Sequence, residues 1–418
     1  MKKLLFVTTR LFWPTDSGRK TSLYYYCKGL HEVYGYEIYL YSFLELGQTE
    51  KLIEEKPDFI KEIKLAAPIS KAKKVTNLIM RSLFGGWPFQ NAIYYNNKNK
   101  KLLKSYCECL QPDIVIVDMI RLAPYIKAFE HLKCLKILDL DDLLSKRYER
   151  QAQRKNNKGS ILGTYAQNAS KSSNKVINLP RLKNRVLKSE SKRTKKAELK
   201  YAHLYDRVIF VSENETNELN RRLCQEKAVT VALGIDYDYF GAFAPVSKEK
   251  GALSFLGNMK VPANVDSLNI IVSEILPRIK SKVKLYVVGV CPDEVKLQFN
   301  DPRLIFCGMV EDVRSLIGKS EIFLAPIAYG TGIKTKILEA MALGIPVITN
   351  SVGIEGIAGR NQEHCIVSDD AQEIAEFVDK LLFDKESAER IAAAGRELTK
   401  EKYDWKNIYN SFAKVGIL

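Results

Sequence analysis

Ala325-Pro-Ile-Ala-Tyr-Gly-Thr-Gly-Ile-Lys-Thr-Lys-Ile-Leu-Glu-Ala-Met-Ala-Leu-Gly-Ile-Pro346 follows directly on the apolar run Ile322 to Ala325 and passes through a glycine loop into a helix-forming stretch. A helix that opens at the carboxyl end of a strand presents unpaired backbone N–H groups and partial positive charge, which suits a phosphate or a developing anion. Gly330 and Gly332 let a ligand approach the backbone closely, and Lys334 and Lys336 add formal charge at the same place. That charge matters most where no metal neutralises a departing diphosphate. Glu339 lies among Ile337, Leu338, Ala340, Met341 and Ala342, where a carboxylate is costly unless something pairs with it. Three readings are open for it: a bidentate acceptor for a ribose diol, an intrahelical pair with Lys336 three residues back, or a solvent-facing position.

Working outward, hydrophobic runs bounded by turn residues predict further strands at Leu253 to Leu256, Lys284 to Val288, Leu304 to Cys307, Pro346 to Thr349 and Cys365 to Val367. A first series lies at Leu4 to Thr8, Glu37 to Ser42, Asp113 to Asp118, Lys136 to Leu140, Arg207 to Ser212 and Val229 to Leu233. Helical patterns separate most of them. Ser212 with Glu215 reads as a capping box that opens the helix carrying Leu219 and Leu223. This is the grammar of parallel α/β sheets, and the loop with Gly241, Pro245 and Gly251 divides it into two tandem doubly wound, Rossmann-like domains. The expected division is 1–240, 241–402 and a C-terminal helix over 403–418.

A chain of 418 residues, 46% of them apolar, supports two cores and excludes a small module. Eight scattered cysteines without a CxxC pair argue against a disulfide framework or zinc site and fit a reducing compartment. The opening Met-Lys-Lys-Leu-Leu-Phe-Val resembles a signal peptide only briefly, and its apolar run stops at Val7, so it reads as the first strand. No run reaches the roughly 18 apolar residues of a membrane-spanning helix. The expectation is a cytoplasmic protein, peripheral at most to the inner face of the plasma membrane.

The net charge of +16 is concentrated in one place: residues 145–200 hold 17 Lys/Arg against 3 Asp/Glu, and the remainder is nearly balanced at 48 against 46. Such a segment seeks an anionic surface. Only Tyr148 and Tyr165 are aromatic there, so stacking platforms do not interleave with the charge and nucleic acid is not expected. An anionic membrane is the favoured partner, and a solvated arm is the plain alternative. Lys188 to Lys196 contains no apolar side chain, and so lacks the stripe of an inserted anchor.

Leu256-Gly-Asn-Met, Tyr286-Val-Val-Gly, Cys307-Gly-Met-Val-Glu-Asp, Phe323-Leu-Ala-Pro, the Gly330 to Ala342 run and Tyr403-Asp-Trp405 occur in this order. Over about residues 250–410 the chain thereby resembles the donor half of the group 1 retaining glycosyltransferases, of the GT-B type with two Rossmann-like domains facing a cleft. Pro14-Thr-Asp-Ser-Gly-Arg-Lys, Asp206-Arg-Val-Ile-Phe-Val-Ser-Glu and Gly234-Ile-Asp-Tyr-Asp-Tyr-Phe240 extend the likeness to the first half. Met119 to Tyr125 and Asp139 to Tyr148 are similar to the branch associated with bacterial exopolysaccharide and capsule assembly. The resemblance implies a C-terminal helix crossing back to the first domain, an acceptor-binding first domain and a second domain that binds the nucleotide sugar.

For individual residues, the resemblance implies Gly18 beside the donor phosphates, although a plain turn glycine is the alternative. Gly257 and Asn258 fall in the first turn of the donor half, where Asn258 stands in the family's arginine position and Lys260 is the nearest cation. The first of the family's two glutamates is replaced by Thr331 and the second is Glu339, so sugar contacts would fall to the Thr331 hydroxyl and to the backbone from Gly332 through Ile333 and Lys334, with Thr335 opening the helix. The base is expected at the Gly308 to Asp312 turn, which holds Val310 as a donor-binding candidate. Asp118, at a strand end, is placed toward the reacting sugar, with helix capping as its alternative. Asp139-Leu-Asp141-Asp142 invites a metal-binding reading, but the cations at the helix start make it unnecessary; helix capping is the plain reading.

The expected catalytic residues are Asp118, Lys260, Lys336 and Glu339; the expected donor-binding residues are Gly18, Gly257, Asn258, Val310, Gly330, Thr331, Gly332, Ile333, Lys334 and Thr335; no metal or other cofactor is expected. The activity implied is metal-independent, retaining transfer of a hexose from a UDP- or GDP-sugar to a glycan or lipid-linked acceptor. The rivals are a nucleotide-sugar 2-epimerase, which would turn over donor without acceptor, and a non-catalytic partner subunit, which would bind without turnover.

Overall fold

The computed structural model describes residues 2–15, 18–45, 47–153, 180–243, 247–330 and 332–417, with the backbone alone for 180–183. The chain divides into two compact units: Met1–Glu149 with Val186–Ala232 and Ile408–Leu418, and Arg150–Arg185 with Leu233–Asn407.

The first unit is built on a seven-stranded parallel sheet of β1 (Lys3–Thr8), β2 (Glu37–Ser42), β3 (Ile60–Leu65), β4 (Ile114–Asp118), β5 (Leu135–Asp141), β6 (Arg207–Phe210) and β7 (Ala228–Thr230), in the order β3-β2-β1-β4-β5-β6-β7. Leu4, Leu5, Phe6 and Val7 are all buried, as a central strand covered on both faces requires. The strand order reverses between β1 and β4, which opens a crevice at their carboxyl ends. Register then sets Asp118 beside Asp139 at that end of the sheet.

Three features differ from the sequence reading. β3 was not foreseen: it is an edge strand whose Lys61 and Glu62 are exposed, and such charges mask the apolar run while protecting the edge from further pairing. The Ser212 and Glu215 capping box does not form. Ser212 is the N-cap of the helix Glu213–Leu223 but makes no side-chain cap bond, and Glu215 instead accepts the Leu143 N–H at 3.0 Å. Finally, the charged stretch is no solvated arm where it is described, but the helix Pro180–Leu204, with Leu187, Ala197, Tyr201 and Ala202 buried. Its inward carboxylates have partners: Glu190 accepts the Phe89 N–H at 2.7 Å, and Glu198 accepts Ser145 N at 2.9 Å and Ser145 Oγ at 2.6 Å. Residues 154–179 of the basic segment lie outside the described residues.

The C-terminal Ile408–Leu418 belongs to this unit. Phe412 meets the Tyr26 ring edge-on at 5.1 Å, and Tyr34 donates its hydroxyl hydrogen to the Tyr409 carbonyl at 2.8 Å. Gly29, on the helix Gly18–Glu32, is a glycine because a Cβ there would come within 2.2 Å of the Tyr409 ring.

The second unit carries a six-stranded parallel sheet of β8 (Ala252–Leu256), β9 (Lys284–Val288), β10 (Leu304–Gly308), β11 (Ile322–Ala325), β12 (Val347–Thr349) and β13 (Ile366–Val367), ordered β10-β9-β8-β11-β12-β13. Leu253, Phe255, Leu285, Val287, Ile322 and Leu324 form its core with Ile271, Ile275, Val378 and Leu381 from the helices. Here the order reverses between β8 and β11. Leu233–Phe240 joins this unit because the Ile235 N–H donates to the Tyr403 carbonyl at 2.7 Å and Gly234 backs closely onto the Trp405 ring. All eight cysteines are free thiols. Among the described residues, no helix is long and apolar enough to cross a membrane.

Candidate functional site

The reversal between β8 and β11 brings together two turns that are about 70 residues apart in sequence, which is how doubly wound sheets make ligand crevices. After β8, Gly257 and Met259 donate backbone bonds to Val288 and Val290 at 2.9 and 2.7 Å, and Lys260 N–H donates to Asn258 Oδ1 at 2.9 Å. Glycine is demanded at 257 because a Cβ would sit 2.9 Å from Asn264 Cγ. Asn258 and Lys260 are exposed.

After β11 the loop is pinned from two sides. Asn350 accepts the Ile327 N–H at 3.0 Å and donates to its carbonyl at 2.9 Å, while Ser267 Oγ accepts the Ala328 N–H at 2.9 Å. Gly332 has φ +68°, a conformation that favours glycine, and Gly332 and Ile333 are buried. Lys334 folds its ammonium back to the Gly332 carbonyl and is the N-cap of the helix Thr335–Ala342, which has no side-chain cap bond. Gly330 lies in the same loop, half-buried; Thr331 lies outside the described residues.

On this helix, Lys336 donates to Asn264 Oδ1 at 2.9 Å and lies 5.0 Å over the Phe255 ring. Asn264 uses its Nδ2 to hold the Asn258 carbonyl at 2.9 Å, so one amide ties the two turns together. Desolvation lowers the Lys336 ammonium to about 8, opposed by Glu339 and reinforced by Lys334. Desolvation raises the Glu339 carboxyl to about 7, opposed by Lys336 and by a hydrogen bond from Thr335. Lys336 and Glu339 therefore interact through charge, as the intrahelical reading has it, while the ammonium's hydrogen bond runs to Asn264. Paired groups with pKa values drawn toward neutrality are a mark of functional sites.

Within the second unit the expected residues fall in two places. Gly257, Asn258, Lys260, Gly330, Gly332, Ile333, Lys334, Thr335, Lys336 and Glu339 gather at the β8 and β11 ends. Val310 is half-buried in the turn after β10, two strands from β8 and thus about 10 Å away across the sheet. In that turn Asp312 binds Arg314, whose guanidinium lies 3.5 Å over the Tyr239 ring.

Gly18 and Asp118 belong to the first unit, where a second constellation occupies the β1 and β4 reversal. Gly18 is exposed at the start of its helix. The next residue, Arg19, spans three carboxylates: Nη2 donates to Asp118 at 2.6 Å and Asp139 at 2.8 Å, Nη1 to Asp141 at 3.3 Å. Thr9 Oγ donates to Asp118 at 3.0 Å. Asp118 makes no cap bond, and Asp139 and Asp141 bind Arg19 while Asp142 binds Arg147, so the capping readings are replaced by arginine pairing. Burial pushes the Asp118 carboxyl up, but Arg19, Arg10 and Arg121 outweigh it and hold it below the usual range. Burial raises Asp139 and Asp141 despite Arg19, Asp141 to about 6. Met119 and Asp141 have φ +64°, a strained conformation for side chains, at two adjacent strand ends. Among the described residues, no group of three or more His, Cys, Asp or Glu side chains is placed to hold a metal ion.

Sequence reasoning missed Arg19 and Asn264. Arg19 had a signal, since an arginine beside the predicted turn glycine is an obvious partner for strand-end aspartates; Asn264 had none, because its role exists only once β8 and β11 are neighbours.

Residues 250–384, the sheet and helix segment just described, match the family model of "Glycosyl transferases group 1". Residues 250–384 of the second unit are thus similar to a group 1 glycosyltransferase domain. Relatives of this domain's chain include an uncharacterized 44.6 kDa protein of the cps region of Klebsiella pneumoniae, 21% identical over 50% of this chain and 56% of the relative. The capsular polysaccharide biosynthesis glycosyltransferase CapM of Staphylococcus aureus is 28% identical over 36% of this chain and 42% of its own. The chain thus spans about half the length of the curated relatives it matches. In fold, it is similar to HepE of Anabaena, solved in complex with UDP and glucose, with a TM-score of 0.65 at 13% identity over 99% of both chains. The chain has the GT-B fold.

Proposed function

We propose that the chain is a metal-independent, retaining glycosyltransferase of bacterial capsule or exopolysaccharide synthesis, moving a hexose from a UDP- or GDP-sugar to a glycan or lipid-linked acceptor. The observation that carries this reading is the placement of Lys336 and Glu339 three residues apart on a helix without a side-chain cap, with Lys336 tied by Asn264 to the turn after β8. UDP is the nucleotide bound to HepE, and capsule synthesis is the role of CapM; both favour the reading for this chain.

In this reading the diphosphate rests at the amides that open the helix Thr335–Ala342, and Lys336, with Lys334, balances the charge that grows as the glycosidic bond breaks. Glu339 accepts the ribose hydroxyls. The sugar becomes oxocarbenium-like, the acceptor oxygen attacks from the leaving-group side, and the β-phosphate oxygen takes its proton, preserving configuration. The acceptor is assigned to the first unit, and the protein acts in the cytoplasm, where the exposed lysines of the helix Pro180–Leu204 suit an anionic membrane surface.

The test is nucleoside-diphosphate release from a panel of UDP- and GDP-sugars with EDTA present, followed by product analysis. Release from one donor, with sugar transferred and the anomeric configuration retained, is the expected result. An epimerised sugar without transfer would move the activity to the epimerase class, and failure to bind any nucleotide sugar would overturn the reading.

A further inference from the structure

The helix Lys71–Asn77 and the wider turns that continue it through Leu78–Phe84 are turned inside out. Asn77 and Ser82 are its buried side chains, whereas Val75, Ile79, Met80, Leu83 and Phe84 are 43% to 80% exposed. The exposed positions recur at spacings of four and five residues, so they form one ridge. An apolar ridge of this size on the outside of a domain marks an interaction surface.

The polar side fixes this orientation. Asn77 Nδ2 donates to the carbonyls of Ala92 at 3.0 Å and Tyr95 at 2.7 Å, Ser82 Oγ accepts from Arg193 at 3.0 Å, and the Arg81 guanidinium lies 4.3 Å over the Tyr95 ring. Rolling the ridge inward would strip these groups of their partners inside the domain, so the apolar face cannot simply bury itself.

Charge identifies what covers it. Between Glu62 and Glu108 the chain carries nine Lys or Arg and no Asp or Glu. Lys71 and Lys73 are exposed on the first turn, and the Arg193 bond joins this run to the helix Pro180–Leu204, where Lys188, Lys192, Lys195 and Lys196 are exposed. A second copy would set cations against cations. An anionic bilayer satisfies both features at once: apolar side chains enter the headgroup boundary while lysines stay among the phosphates. We propose that residues 71–84 are an interfacial membrane anchor, with Ile79, Met80, Leu83 and Phe84 entering an anionic bilayer and the flanking lysines binding its headgroups. The purpose of the anchor rests on the proposed lipid-linked acceptor; the anchoring itself requires no turnover.

The experiment is co-sedimentation of the full chain with vesicles of mixed phosphatidylglycerol and phosphatidylcholine, and with phosphatidylcholine alone. Binding to the mixed vesicles is expected, at least about tenfold weaker on phosphatidylcholine alone. The double variant Leu83→Gln/Phe84→Gln should lose at least about tenfold in partition coefficient at unchanged melting temperature, because these side chains contribute little to the fold. Phe383→Gln, which removes an exposed aromatic side chain of the second unit, should bind like the parent. Phe84→Trp should shift its emission to the blue on mixed vesicles. Absence of binding by the parent, equal binding by the double variant, or a lipid-free dimer that the double variant abolishes would each overturn the anchor. Nucleoside-diphosphate release from a soluble donor separates the two proposals: the double variant should retain it, and a protein that binds vesicles but releases nothing and binds no nucleotide sugar refutes the transferase while leaving the anchor.

Discussion

Replacing Glu339 by Gln removes one charge and changes little else in shape, and two separable consequences follow. A carboxylate that accepts two ribose hydroxyls makes charge-assisted bonds of about 1.5–3 kcal/mol each, so weakening them should cost about 10- to 100-fold in kcat/KM for the donor. The second consequence concerns pH. For the proposed role Glu339 must be ionised, and its carboxyl stands at about 7 because desolvation raises it against the pull of Lys336. Lys336, to balance the leaving group as proposed, must be protonated, and desolvation brings it down to about 8 although Glu339 holds it up. The parent activity should therefore fall on the acid side as pH drops through about 7 and on the alkaline side as it rises through about 8. In Glu339→Gln the acid limb should vanish, and the alkaline limb should move to lower pH because Lys336 has lost its stabilising anion. The assay is the initial rate of nucleoside-diphosphate release across about pH 5.5 to 9.5, fitted for kcat/KM. A variant within twofold of the parent, or one that keeps an acid limb near pH 7, would refute the role assigned to this carboxylate.

Asn264→Ala should raise the donor KM about tenfold and lower the alkaline limb, since Lys336 loses its acceptor and the turn after β8 loses its tie; an unchanged pH profile would show that Lys336 is positioned by other groups. Glu198→Gln should stabilise the first unit at pH 8: burial raises the folded-state carboxyl to about 7 from 4.5, so its contribution is present below pH 4.5 and lost as pH rises through 7, and the neutral amide should recover at most about 3 kcal/mol in denaturant titrations. A variant whose stability falls between pH 4.5 and pH 8 by as much as its parent's would contradict this. Gly29→Ala would gain about 1 kcal/mol as an ordinary helix substitution, but the Tyr409 ring in its way should turn that into a loss of about 1–3 kcal/mol, read as a lower melting temperature.

Much of the fold was legible because parallel strands buried on both faces leave unbroken apolar runs, and twelve of the thirteen strands among the described residues were predicted to within a few residues. The missing one, β3, is an edge strand written in alternating charges. The loop after β11 was equally legible as a strand end opening a helix, since the glycines, lysines and Glu339 lie together in one stretch of chain. The capping box at Ser212 failed for a tertiary reason: Glu215 is worth more to the buried Leu143 N–H than to its own helix start.

By itself the sequence determined the two α/β sheets, the loop that meets β11 and the concentration of positive charge, because each is a property of consecutive residues. Only the tertiary structure decided that Asn264 clasps Lys336, that Arg19 neutralises the strand-end aspartates and that the 71–84 ridge faces outward. These depend on strand order and on which side of a helix finds partners, and a linear pattern of apolar residues reads the same whether it points into a core or out of one.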